Sequence, residues 1–71
     1  MNILEAANRN ELNLVEVSIL LELEKHYPRP VKVEEVNKDE LVRENIHNLI
    51  QKGLVEQRWD KYRIVKNVPA N

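Results

Sequence analysis

The feature that most constrains this chain is its single glycine, Gly53. It ends a stretch whose apolar residues recur at helical spacing, Leu41, Val42, Ile46, Leu49 and Ile50. It also opens one with strand-type residues, Leu54, Val55, then Tyr62, Ile64 and Val65. Glycine enters the left-handed region without steric cost, so it is a natural residue to stop a helix, with Lys52 closing the last turn and Leu54 placed to fold back on it. The pattern predicts a helix over about residues 38–52 and an antiparallel hairpin with strands near 54–58 and 62–66. The same scarcity excludes functions. Phosphate-cradling loops and nucleophile elbows need several glycines for close backbone approach. One glycine, one serine (Ser18, mid-helix among apolar residues) and no credible carboxylate pair or Ser/His/Asp set point to a binding module, not an enzyme.

At 71 residues the chain is a single domain. A chain of this size buries only about 60% of its unfolded surface, so small domains often draw on disulfides, metals or partner subunits. Cysteine is absent, which removes disulfides and the common structural zinc sites, and His26 and His47 stand apart without metal-ligand spacing. No cofactor is expected, and a partner subunit is the remaining source of support. Hydrophobic content of 42% with 32% charged residues is that of a folded globular chain. The longest apolar run, Ile19-Leu20-Leu21, cannot span a membrane, and the N-terminus has no basic region followed by an apolar one. No membrane association and a cytoplasmic location are the expectations.

Residues 1–11 read as an arm, either frayed or forming one or two helical turns. Asn13 can cap a helix, and Glu16 completes a capping-box pair with it. The helix runs over about residues 13–26, with Leu12, Val15, Ile19, Leu20 and Leu23 on one side. Lys25 and His26 suit its C-terminus, and Pro28 and Pro30 forbid its continuation. Leu14, Val17 and Leu21 form a second apolar stripe. Two readings of that stripe stay open: it is covered within one protomer, in part by the arm carrying Ile3 and Leu4, or Ile3, Leu4, Leu14, Val17 and Leu21 build a homodimer interface. Pro30 to Val36 reads as a short extended piece entering a helix of one or two turns, with Val31, Val33 and Val36 inward. Asn37 and Asp39 are cap candidates for the next helix, and residues 67–71 are a tail.

The run Val42-Arg43-Glu44-Asn45-Ile46-His47-Asn48-Leu49-Ile50-Gln51-Lys52-Gly53-Leu54-Val55-Glu56-Gln57-Arg58 resembles the recognition helix and wing opening of a MarR-like or ArsR-like regulator. Leu14 to Leu23 is similar to the first helix of such domains. The order of elements, over about residues 12–66, resembles the winged helix-turn-helix family. The resemblance implies an α+β, mostly helical fold of three helices with a two- to three-stranded antiparallel hairpin wing. It also implies binding of double-stranded DNA as a small transcriptional regulator, like small phage, plasmid or archaeal regulators. Carried onto this chain, Lys38, Arg43, Glu44, His47 and Gln51 would face the major groove. Arg58, Trp59, Lys61, Tyr62 and Arg63 would form the wing contact.

Charge is distributed to match. Residues 1–37 carry four cations and seven acids, whereas residues 38–71 carry seven cations and five acids. Cations interleaved with Trp59 and Tyr62 suit a phosphate-contacting wing. Overall charge is nonetheless −1, and Glu40 and Glu44 accompany Arg43 on the third helix. The alternative is therefore a protein-interaction module of the same fold, an adaptor or regulator within a larger complex. A homodimer would double the phosphate contacts and suit a palindromic site.

Overall fold

The computed structural model describes residues 2–36 and 40–65. Its elements are α1 (Ile3–Asn10), α2 (Leu14–His26), β1 (Val31–Lys32), α3 (Val33–Val36), α4 (Glu40–Gln51), β2 (Val55–Arg58) and β3 (Lys61–Ile64). The architecture is α+β and mostly helical, with a three-stranded antiparallel sheet in the order β1-β3-β2.

Helix ends follow local chemistry. The Asn2 carboxamide oxygen accepts from the Glu5 amide at 3.1 Å, which caps α1, and Glu11 leaves that helix in a left-handed conformation. The arm is thus a helix of eight residues. At α2 the expected capping box is present. Asn13 Oδ1 accepts from the Glu16 amide at 2.8 Å, and Glu16 Oε1 accepts from the Asn13 amide at 3.0 Å. Gly53, at φ 77°, ends α4 in a Schellman motif: the Leu54 amide donates to Leu49 O and the Gly53 amide to Ile50 O, each at 3.0 Å. Leu54 is thereby drawn fully inside.

The core is built by Ile19, Leu20 and Leu23 of α2, Val42, Ile46 and Leu49 of α4, and Val31, Leu54, Val55 and Ile64 around the sheet. Ile3 and Ala6 of α1 close one side of it. The buried face of α2 keeps the expected Ile19, Leu20 and Leu23, with Leu12 packed beside them, and departs from expectation at its start. Val15 stands at the surface, while Glu16 is only 3% exposed. The reason is tertiary: α4 packs across the start of α2, and Lys52 Nζ lies 3.6 Å from Glu16 Oε2 while donating to Asn10 O at 3.3 Å. One lysine therefore ties α4 to both the α1 terminus and the α2 cap.

The sheet also departs from expectation in detail. The hairpin loop has two residues, Trp59 and Asp60, so Lys61 belongs to β3 instead of a longer polar tip. The third strand, β1, pairs Val31 with Tyr62 and Lys32 with Lys61. The start of the 38–52 helix and the 67–71 tail lie outside the described residues.

Candidate nucleic-acid interface

Burying Val42, Ile46 and Leu49 turns the opposite face of α4 to solvent, and that face carries Arg43, Glu44, His47, Asn48 and Gln51. Arg43, Glu44, His47 and Asn48 line one shallow depression of about 510 Å³. Gln51 Nε2 lies 3.2 Å from His47 Nε2; an amide nitrogen only donates, so the ring nitrogen accepts. Of the residues expected to face a groove, Arg43, Glu44, His47 and Gln51 therefore share one surface, and Lys38 lies outside the described residues.

In the hairpin, strand alternation separates two sets. Val55 pairs with Ile64 and both are buried, so Glu56, Arg58, Lys61 and Arg63 stand on the outer face. Arg58 is paired with Lys61, and Lys61 with Lys32. Three cations thus form one row across three strands. Like charges directly opposite destabilise a sheet by about 0.2–1 kcal/mol per pair, so the row works against the fold and favours a bound anion. Asp60 offsets it locally, its carboxylate 3.8 Å from Lys32 Nζ. Lys32 escaped the sequence reading because only the pairing of β1 with β3 brings it to the hairpin, and no local pattern announces that pairing.

Arg63 has a different job. Its guanidinium binds Glu56 Oε1 through Nη2 and through Nε at 2.7 Å, and Nη1 donates to Pro28 O at 3.3 Å. That network joins the outer face to the end of α2 and takes the guanidinium out of the cation row.

At the hairpin tip, Trp59 is 95% exposed and adopts φ 62°. A left-handed backbone costs a residue with a Cβ roughly 1–2 kcal/mol, and glycine is the favoured residue where the first position of a two-residue hairpin loop has positive φ. The Trp59 carbonyl accepts from Gln57 Nε2 at 2.8 Å, which holds the loop in this form. Trp59, Gln57 and Tyr62 line a groove of about 710 Å³ whose far wall is Val33, Glu34 and Arg43. Arg43 therefore borders both the α4 depression and the hairpin groove, where it pairs with Glu34 at 3.4 Å. Both partners are exposed, so the pair is worth at most about 1 kcal/mol and opens readily to another anion.

The residues considered for a dimer contact divide. Ile3 is buried within the protomer and Val17 packs half-buried on the core, whereas Leu4 (79%), Leu14 (87%) and Leu21 are exposed. Among the described residues no three His, Cys, Asp or Glu side chains are placed to hold a metal ion. Nor, among them, is any helix long and apolar enough to cross a membrane. The Glu35 carboxyl is held below its ordinary range, first by the Lys32 amide that donates to it at 2.9 Å, with desolvation opposing, and further by the charges of Arg29, His26 and Lys61.

Comparison of the chain with protein-family models, with curated proteins and with solved structures finds no match, so its function has to be read from the site itself.

Proposed function

We propose that this chain is a winged helix-turn-helix domain that binds double-stranded DNA as a small transcriptional regulator and acts as a homodimer. The observation that carries this reading is the position of Arg43. It belongs at once to the exposed face of α4 and to the groove beneath the hairpin tip, so helix and wing form one continuous surface. With α4 in the major groove, Arg43 donates to a base edge or phosphate, and Glu44 accepts from a cytosine amino group. His47 and Gln51 extend the same face. Arg58, Lys61 and Lys32 neutralise the flanking phosphates. Two copies joined over the exposed Leu14 and Leu21 would present two such surfaces to a palindromic site and bury leucines that otherwise face water.

Fluorescence anisotropy of a labelled mixed-sequence duplex, at about 50 and 200 mM salt, tests the reading. Binding is expected to weaken steeply with salt. A Lys32→Ala/Arg58→Ala/Lys61→Ala variant is expected to lower the salt slope by about 2–3, near one unit per lost phosphate contact. Sedimentation of the wild type and of Leu14→Asp checks the dimer, the variant being expected to run as a monomer. A folded protein that fails to bind at low salt refutes DNA binding. One observation favours a protein partner in that event: Arg43 is engaged by Glu34, and Glu44 lies beside it, on a chain of net charge −1.

A further inference from the structure

We propose that Trp59 is an intercalating wedge: as the hairpin settles on double-stranded DNA, its indole enters between two stacked base pairs and kinks the duplex. This rests on the DNA-binding reading above and identifies what the hairpin tip recognises there.

Exposure is the first observation. An indole is a large, mainly apolar surface with one polar N–H, and folded chains gain by burying it. Here it projects from the tip with 95% of its surface in water, although the half-buried Tyr62 and the groove wall lie close by. The backbone is the second. Trp59 holds φ 62°, in a region that favours glycine, and two features hold it there: the bond from Gln57 Nε2 to its carbonyl and the Arg58–Lys61 pair that closes the loop. Glycine would close this loop without strain. A bulky aromatic kept in a strained conformation with no intramolecular burial is the mark of a side chain held for an external contact.

Charge is the third. Arg58 and Lys61 close the two-residue loop that carries the indole, Lys32 continues the row, and the neighbouring Asp60 carboxylate is drawn towards Lys32. Cations therefore stand at the foot of the tip, on the outer face of the hairpin, where they would meet backbone phosphates as the ring enters a base step. Two paired strands are too broad for the minor groove, which is about 6 Å wide, but a single flat ring at their tip is not. Apolar wedges inserted in this way bend duplexes by about 20–90°, and they do so most readily at flexible pyrimidine–purine steps. The tip would thus select a TA or CA step by its deformability, at base pairs α4 does not touch.

Trp59 is the only tryptophan in the chain, so its emission reports the event directly. The full chain is titrated with two short duplexes, one with a central TA step and one GC-rich throughout, each carrying a donor and an acceptor dye at its ends. Indole emission is expected to fall and to saturate together with anisotropy. End-to-end energy transfer should rise, and the TA duplex should bind more tightly. Trp59→Gly, shown to be folded by circular dichroism, is expected to bind roughly tenfold more weakly, the low side of one base–aromatic stack because unstacking opposes it. It should keep the wild-type salt slope but lose the rise in energy transfer, while Trp59→Phe retains part of that rise. DNA binding with unchanged indole emission, or a Trp59→Gly variant that bends DNA like the wild type, overturns the wedge and leaves the DNA-binding reading standing. A wild type that shows no anisotropy change at low salt overturns both.

Discussion

Trp59→Gly removes the bulkiest side chain in the protein, and it is expected to make the protein more stable. The indole is 95% exposed, so truncation forfeits almost no burial at about 25 cal/mol per Å². Against that near-zero loss stands the left-handed backbone at φ 62°, which costs a residue with a Cβ roughly 1–2 kcal/mol and glycine nothing. Glycine returns about 0.5–1 kcal/mol of this through its greater freedom in the unfolded chain. The balance is a gain of about 0.5–1 kcal/mol, and a chain of this length shifts Tm by about 4–8 °C per kcal/mol. Thermal unfolding followed by circular dichroism should therefore place the glycine variant about 2–8 °C above the wild type. Trp59→Ala is the control. It removes the same indole but keeps a Cβ in the strained conformation, so its Tm should stay close to that of the wild type. A glycine variant that melts lower would show that the indole packs in solution, and an alanine variant that rises equally would show that backbone strain is not the governing term.

At Gly53 an added Cβ meets nothing within 4 Å, so Gly53→Ala sets the backbone cost of φ 77° against the freedom glycine has in the unfolded chain and should lower stability by about 0.5–1 kcal/mol. An unchanged Tm would mean that α4 ends otherwise in solution. The Glu16–Lys52 contact should appear in a double-mutant cycle: Lys52→Met is expected to cost more beside Glu16 than beside Glu16→Gln, with a coupling of about 1 kcal/mol. Additive effects would show that Lys52 does not serve the buried carboxylate. The lowered pKa of Glu35 means that its contribution to stability is complete above the ordinary carboxylate range and is lost as pH falls through the lower folded value. Glu35→Gln should accordingly flatten the acid limb of stability against pH, and an acid limb identical to that of the wild type would refute the assignment.

The boundaries legible beforehand are those whose cause lies within a few residues. Asn13 and Glu16 reach each other within one helical turn, Pro28 and Pro30 bar α2 from continuing, and Gly53 and Leu54 close α4 on its own carbonyls. The strand-type residues Leu54, Val55, Tyr62, Ile64 and Val65 likewise announced a hairpin, and the exposed face of α4 followed from its apolar period. Each signal is contained in neighbours that meet in any conformation containing the element.

Other features were decided by segments that meet only in the folded chain. Glu16 carries a capping signature that says nothing of burial; it is buried because α4 crosses α2 and brings Lys52 to its second oxygen. Ile3 belonged to an arm of open fate until α1 closed over the core, while Leu4 beside it stayed in water. Lys32 joins the cation row only through the β1–β3 register, and a shift of one residue would send it to the other face of the sheet. Arg63, equal in sequence to its neighbours Arg58 and Lys61, is withdrawn from them by Glu56 and the Pro28 carbonyl. Sequence by itself thus determined the capped start of α2, the ends of α2 and α4, the hairpin and the exposed face of α4, since these depend on local geometry and side-chain type. Tertiary structure alone decided which cations stand together, which acid is buried and that Arg43 borders both helix face and hairpin groove, because pairing register and helix crossing are settled by the packing of the whole core.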